Sequence, residues 1–253
     1  MYVKVHKGTR QTGGNLIEIG TDMTRLLFNV GTNLPPLDDP KTEDPFELEG
    51  LTFGEPAFDW VFISHHHNGR YGLLVKLLPG IPVFAGEETI RILNVIADFT
   101  NRPRPEINFG FRSCRPIQLD DMRVTPIGAE HSARDACMFL IQAEGKKVLY
   151  TGDYRMAENI LPEVSRMLGG TGTLDLLISA ETNIRPEKPE RQSELHDHCS
   201  GYAYRDTIES LIVSLQPKAL LPIRCEAENR KEVLNLHDNC LVLGDGERWE
   251  VGS

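Results

Sequence analysis

Two histidines that follow a compact apolar run are the residues of this sequence best suited to bind a metal. The run at residues 58–64 is typical of a strand buried on both faces, and His65 and His67 come directly after it. Because alternate side chains of an extended backbone point the same way, both imidazoles can bind one ion at ~2.0–2.1 Å. For this pair alone, a polar turn at the end of a strand is the alternative.

Two later segments place further metal-ligating side chains at the ends of strand-like runs. His131 follows one such run, and Asp153 lies at the tip of another. A surface histidine and a plain turn are the alternatives for these two residues. Together with His65 and His67 they make three imidazoles and one carboxylate, which is a complete tetrahedral set for one zinc ion. Iron and manganese are the other candidate metals.

The spacing of apolar residues predicts the elements that position these side chains. Further strands are predicted at residues 2–6, 15–19, 25–30, 122–127, 137–143, 146–151, 175–179 and 219–223. Helices are predicted at residues 87–99, 159–168, 205–215 and 226–236, followed by a terminal hairpin around residues 244–246. Strands followed by repeated strand–helix units predict packed sheets with helices outside, and we expect residues 1–253 to form a single domain.

Composition narrows the classes of function. Lys and Arg number 27 against 37 Asp and Glu, and the resulting net charge of −10 argues against nucleic acid as a partner. The five cysteines include no C-x-x-C pair, which favours a reducing compartment, and we expect a cytoplasmic protein. No run approaches 18 apolar residues, so no membrane association is expected.

The order of the motifs resembles the metallo-β-lactamase superfamily and, within it, the ribonuclease J branch of the β-CASP nucleases. The segments that carry this resemblance are residues 11–15, 65–67, 131–135, 150–153, 200–203 and 221–226. The resemblance covers nearly the whole chain. It implies an α+β fold of the αββα type, a four-layer sandwich, and the activity of a metal-dependent hydrolase.

The chain departs from that family at the positions that would bind a second metal. The family's first motif reads His-x-His-x-Asp-His, and its Asp and last His fall on Gly69 and Arg70 here. Two late histidines of the family fall on Tyr202 and Arg224. The resemblance therefore implies that the second metal site is lost.

Arginine side chains have a definite effect at such positions. An arginine cannot deprotonate to become a ligand, and its charge disfavours a nearby dication. Arg70 and Arg224 are expected to replace the lost cation. Their side chains would pair with Asp153 or Glu226, or bind an anionic ligand. Side chains that point to solvent are the alternative.

The resemblance thus leaves one metal ion and a small set of supporting residues. His65, His67 and His131 are its predicted ligands, and Asp153 is the fourth ligand or the catalytic proton acceptor. The residues predicted to orient these ligands without binding the metal themselves are Asp59, Asp135 and His198.

A missing insertion bears on the substrate. β-CASP nucleases carry a cap domain after the strand that follows Thr-Gly-Asp, whereas here only about twenty residues separate that strand from Ser200. We therefore expect a single-metal hydrolase for a small ester, amide or phosphoester, weakly active or inactive toward RNA. A non-catalytic relative used for binding or regulation, and a mononuclear iron dioxygenase, are the alternatives. Association into a homo-oligomer is left open.

Overall fold

A seven-stranded sheet forms one half of the fold in the computed structural model, which describes residues 1–10, 13–33, 44–155, 161–169, 173–180, 203–225 and 230–252. Its strands are β1 Tyr2–Lys7, β2 Leu16–Gly20, β3 Arg25–Phe28, β4 Trp60–Ile63, β5 Val83–Gly86, β6 Phe109–Phe111 and β13 Arg248–Glu250. They lie in the order β13-β1-β2-β3-β4-β5-β6. The pairs from β3 to β6 are parallel, so these strands all end at one edge of the sheet.

A six-stranded sheet forms the other half. Its strands are β7 Ile117–Leu119, β8 Met122–Gly128, β9 Cys137–Ala143, β10 Lys146–Tyr150, β11 Leu176–Ala180 and β12 Leu220–Ile223. They lie in the order β12-β11-β10-β9-β8-β7, with β10, β11 and β12 parallel to one another.

Helices cover the outer faces of the two sheets. They are α1 Asn68–Tyr71, a 3₁₀ turn Leu74–Lys76, α2 Glu87–Phe99, α3 Leu161–Leu168, α4 Arg205–Leu215 and α5 Arg230–Leu234. None of the helices in the described part of the chain is long and apolar enough to cross a membrane.

The largest apolar cluster lies between the sheets and holds them together. Phe28 of β3 packs on Phe139 of β9 with ring centroids 5.2 Å apart. Each such fully buried aromatic side chain contributes roughly 1.5–3 kcal/mol. Two further clusters lie on the outer faces, one under α3 and α4 and the other under the 3₁₀ turn. The predicted αββα four-layer sandwich is confirmed.

Turn chemistry and helical periodicity predicted one hairpin and one helix well. The Glu144-Gly145 turn joins β9 to β10, and both residues have positive φ angles of 51° and 72°. Such angles match the right-handed twist of a tight hairpin. Helix α2 has the predicted bounds.

Other elements differ from prediction for local reasons. The strand predicted at residues 25–30 ends at Phe28, because Asn29 adopts a left-handed φ of 63°. The predicted terminal hairpin is wrong. Arg248–Glu250 pairs with β1 at the sheet edge, and not with the segment that precedes the turn at residues 244–246. The helix predicted at residues 226–236 is helical at Arg230–Leu234, and residues 226–229 lie outside the described ranges.

Candidate metal centre

Four connections at one edge of the two sheets bring the candidate residues together. His65 follows β4, and His131 lies between β8 and β9. Asp153 follows β10, and Arg224 follows β12. Strands that end at the same edge thus converge on one point from both halves of the fold.

The three predicted histidine ligands form one cluster. The ligand atoms of His65, His67 and His131 all lie within 4.8 Å of one another. Nitrogens around a tetrahedral zinc at 2.0–2.1 Å would be roughly 3.4 Å apart, so the rings must close by up to about 1.4 Å around an ion. His65 is fully buried, and its Nε2 has no hydrogen-bond partner among the described residues. An unsatisfied buried nitrogen that faces two more imidazoles fits a metal.

A buried hydrogen-bond chain orients His65. The Ser64 hydroxyl lies 3.1 Å from His65 Nδ1, and the Ser64 backbone amide donates to Asn29 Oδ1 at 2.9 Å. Asn29 Nδ2 in turn donates to the Tyr150 hydroxyl at 2.7 Å. If Nδ1–H donates to Ser64, Nε2 keeps its lone pair for a metal. Sequence analysis missed Ser64 and Tyr150 as supporting residues.

His131 has a hydrogen bond that competes with metal binding. Its Nδ1 accepts the Ala133 backbone amide at 2.9 Å, so in this tautomer Nε2 carries the proton. That Nε2 lies 4.0 Å from Asp153 Oδ2. Binding of a metal at Nε2 therefore requires the proton to move to Nδ1 and the Ala133 amide to turn away.

Burial keeps the three imidazoles neutral. It lowers the pKa of His65 well below the usual value and lowers that of His67, although nearby Asp153 acts in the opposite direction. Burial likewise lowers the pKa of His131 to about 4. Neutral imidazole is the form that binds metals, so protons compete little at neutral pH.

Two buried arginines hold Asp153. Arg70 Nη2 donates to both carboxylate oxygens at 2.5 Å, and Arg224 Nη1 donates to Oδ1 at 2.5 Å. The three side chains are only 1–2% exposed, so neither guanidinium points to solvent. Burial would raise the pKa of Asp153, but Arg224 and then Arg70 outweigh it and hold this pKa well below its usual range.

Asp153 faces the histidines but is already engaged. Its Oδ2 lies 3.6 Å from His65 Nε2. Oδ1 accepts two guanidinium hydrogen bonds and Oδ2 accepts one, so Oδ2 is the oxygen that keeps a lone pair on the side of the histidines. Its predicted role as fourth ligand and catalytic residue stays a prediction.

The backbone closes around Gly69, the position where the resemblance implied a missing carboxylate. A Cβ atom added to Gly69 would lie 3.2 Å from the Gly13 Cα, which is a tight contact. Arg70 Nη1 donates to the carbonyl of Gly69 at 2.8 Å and to Asn15 Oδ1 at 3.2 Å. The guanidinium is thus held on three sides.

Arg224 reaches Asp153 from an unusual backbone conformation. Its φ is 59°, a left-handed angle that is uncommon for a side chain of this size. The Arg224 amide donates to the Gly8 carbonyl at 2.7 Å, and the Cys225 amide donates to the Thr9 carbonyl at 3.0 Å. These bonds to the end of β1 hold the turn that directs Arg224 inward.

Two predicted supporting residues bond elsewhere. Asp59 accepts the Arg25 backbone amide at 2.8 Å, and Asp135 accepts the amides of Glu88 and Thr89 at 3.0 and 3.2 Å. Asp59 thus joins two strands and Asp135 caps α2, and the support of the histidines by these two residues stays a prediction. The predicted site residues Tyr202 and His198, and Glu226 as a partner of the arginines, lie outside the described ranges.

Two curated proteins are similar in sequence. The probable RNase MJ4 of Methanocaldococcus jannaschii is 24% identical over 203 residues, which is 72% of this chain and 46% of that protein. Ribonuclease J of Sinorhizobium meliloti is 26% identical over 136 residues, 49% of this chain and 24% of that protein. The chain spans less than half the length of these relatives. No family model matches it.

Solved structures match nearly the whole chain. The metallo-β-lactamase fold protein YhfI from Bacillus subtilis superposes with a TM-score of 0.69 and 16% identity, over 98% of this chain and 99% of that one. A diphosphatase from the PhnP family gives 0.64 and 13%, over 98% and 96%. The short form of human tRNase Z gives 0.62 and 12%, over all of both chains. The chain therefore has the metallo-β-lactamase fold, and its sequence is similar to a probable RNase and to a ribonuclease J.

Proposed function

We propose that this protein is a phosphoesterase that uses a single metal ion, acts slowly, and prefers a small phosphoester over RNA. The observation that carries the proposal is the placement of Arg70 and Arg224 on Asp153 beside three clustered histidines. A metal held by the histidines would act as a Lewis acid on a substrate oxygen. The phosphoester class is supported by the similarity to a diphosphatase and to ribonucleases.

The guanidinium groups explain why one ion is expected rather than two. Two buried positive charges against one carboxylate leave a net charge of +1 where a second dication would lie. Coulomb repulsion in a buried site makes binding of that ion unfavourable. The three neutral imidazoles on the other side of Asp153 still provide three ligands for the first ion.

The hydrogen bonds from Arg70 and Arg224 to Asp153 also predict slow turnover. A general base works best when its pKa lies near the working pH, whereas the pKa of Asp153 is held far below it. Among the described residues the histidine cluster includes no further carboxylate. Proton removal from an attacking water therefore depends on a weak base.

A long RNA strand is a poor substrate for two reasons. About twenty-four residues separate the end of β11 from the start of α4, which is too few for a cap domain. The net charge of −10 also gives no general attraction for a polyanion.

Metal content and turnover test the proposal together. After equilibration with excess zinc and removal of free ion, we expect about one zinc per chain by elemental analysis. The same analysis of protein as purified distinguishes zinc from iron and manganese. We expect slow, metal-dependent hydrolysis of bis(p-nitrophenyl) phosphate and little or no cleavage of an RNA oligonucleotide.

His66 provides a matched control, because it lies between two cluster members but outside the cluster. His67→Ala should abolish stoichiometric zinc binding and hydrolysis, and His66→Ala should retain both. Two tightly bound ions per chain, or full zinc binding by His67→Ala, would overturn the single-site proposal. One bound ion without turnover of any phosphoester would instead favour the non-catalytic alternative, which the engagement of Asp153 also supports.

A further inference from the structure

A cavity of about 450 Å³ lies at the edge of the seven-stranded sheet opposite the metal centre. Its lining comes from residues 74–83 and 102–108, which lead into the first residues of β5 and β6. The metal centre, by contrast, follows the last residue of β4, which runs parallel to β5 and β6. The cavity is therefore a separate site, and its volume is typical of cavities that hold small organic ligands.

The floor of the cavity is apolar. Leu74, Ile81 and Val83 line it and are buried in the apolar cluster under the 3₁₀ turn. Val75 also lies on the lining but is 74% exposed, so the cavity is open to solvent on that side. A ligand with an apolar body would remove this surface from water, which is the main source of favourable free energy for such a site.

The walls of the cavity are stiff. Four prolines lie on the lining: Pro79, Pro82, Pro103 and Pro105. Their rings fix φ, and they have no N–H group that must find a partner in an apolar cavity. The two walls are joined where the Val83 amide donates to Asn108 Oδ1 at 2.8 Å and the Asn108 amide donates to the Val83 carbonyl at 3.0 Å. A preformed cavity of this kind loses little conformational entropy when a ligand binds.

One positive charge on the lining is not balanced by a neighbour. Arg104 is paired with Asp98 at 2.7 Å, whereas the Arg102 guanidinium has no hydrogen-bond or ion-pair partner in the described part of the chain. Burial raises the pKa of Tyr71, the last residue of α1, and Arg102 acts in the opposite direction. The charge of Arg102 thus acts on the side of the cavity next to α1, where a ligand can pair with it.

We propose that this cavity binds a small monocarboxylate with an apolar body, whose carboxylate pairs with Arg102. The planar guanidinium offers two parallel N–H groups, which match the two oxygens of a carboxylate. A single guanidinium balances a single negative charge, and the exposed Glu106 on the same lining would repel a second one. A phosphate monoester with a charge near −2 is therefore a poorer fit.

Calorimetric titration of the zinc-loaded protein with sodium decanoate, below the concentration at which it forms micelles, tests the proposal. We expect one site per chain. Octanoate should bind about fifteenfold more weakly, since each buried methylene changes the affinity about fourfold. Decanol, which has the same chain without the charge, should bind about fivefold more weakly, and decyltrimethylammonium more weakly still.

Two substitutions on the lining should change the affinity in opposite directions. Arg102→Gln should weaken decanoate binding about fivefold, the upper limit for an exposed ion pair, and leave decanol binding unchanged. Glu106→Gln should tighten decanoate binding, because it removes a repelling charge. Arg123→Gln is the matched control, since Arg123 is exposed on β8 in the other sheet, and it should bind like the wild type.

Two measurements locate the bound carboxylate. Amide chemical shifts of Gly80 and Asn108 should change on titration with decanoate. His67→Ala should bind decanoate like the wild type, because the cavity lies away from the metal centre; this separates the proposal from the hydrolase function. No binding of decanoate, equal binding by Arg102→Gln and the wild type, or loss of binding in His67→Ala would each overturn it.

Discussion

Metal binding by His65 depends on which of its ring nitrogens carries the proton. The Ser64 hydroxyl beside Nδ1 is the group that decides this, and Asn29 fixes the backbone of Ser64. Partners of this kind orient a ligand and raise its basicity. We therefore expect Ser64 to contribute to the affinity of His65 for a metal ion.

Ser64→Ala should weaken zinc binding by roughly 10–100-fold, because the imidazole loses the partner that holds its tautomer and orientation. A competition titration against a chromophoric chelator measures the change. Ser64→Thr keeps the hydroxyl and should restore most of the affinity. Equal affinity of Ser64→Ala and the wild type would show that Ser64 does not position His65.

Glu18 is a second buried charged residue, away from the metal centre, and gives the protein a defined acid sensitivity. It accepts hydrogen bonds from Tyr2 at 2.5 Å and from Arg25 at 2.8 Å, and His6 Nε2 lies at 2.6 Å. Burial would raise its pKa, but His6, Arg25 and Tyr2 outweigh burial and lower the pKa of Glu18 to about 2.

A lowered carboxyl pKa stabilises the folded state above the unfolded value of 4.5, and this stability is lost as the pH falls toward 2. The full effect is on the order of 3 kcal/mol, since a tenfold change in proton affinity corresponds to about 1.4 kcal/mol. Urea unfolding at pH 7, 4.5 and 3 measures it. Glu18→Gln should be less stable at pH 7 and lose less on acidification than the exposed control Glu55→Gln.

At the scale of elements, α2 begins with a cap supplied from far along the chain. Its N-cap residue is Gly86, which has no side chain, and a Cβ there would collide with the Asp135 carboxylate at 1.9 Å. Asp135 accepts the amides of the second and third helical residues instead. The cap thus ties the loop after His131 to α2.

Asp135→Ala should cost about 1 kcal/mol, the usual effect of losing a helix N-cap, and lower the melting temperature. Asp135→Asn keeps one acceptor and should recover part of that loss. Both variants should bind zinc like the wild type if Asp135 acts only as a cap. A specific loss of zinc affinity with unchanged melting would instead support the role that the sequence predicted for Asp135.

Local pattern predicted these elements better than it predicted their contacts. Periodicity located α2, and turn chemistry located the Glu144-Gly145 hairpin, because both signals lie within a few residues. The Asp135 cap joins residues about 47 apart, and the Asn29–Tyr150 bond joins residues 121 apart. No local signal specifies such pairs.

Over the whole molecule, the resemblance of the motif order to the metallo-β-lactamase superfamily implied the αββα sandwich. Pairing with Asp153 was one of several predicted outcomes for the two arginines, and the left-handed turn at Arg224 that brings it about has no sequence signal. Prediction of residues 1–253 as a single domain remains untested.

The charge of Asp153 is balanced within the chain itself, and this bears on whether the protein needs a metal in order to fold. A binuclear site without its ions leaves clustered acidic groups facing one another, whereas here Asp153 is neutralised by residues of the same chain. We therefore expect the chain to fold without an ion.

Exhaustive chelation should leave the secondary structure intact and lower the free energy of unfolding only by the ordinary linkage of a bound ligand, about RT ln(1 + [L]/Kd). The melting temperature should fall accordingly. Calorimetry with and without a chelator measures this difference. Collapse of the fold on chelation would show that the ion is structural. We therefore expect a nascent chain of this kind to complete its fold first and to bind any metal afterwards.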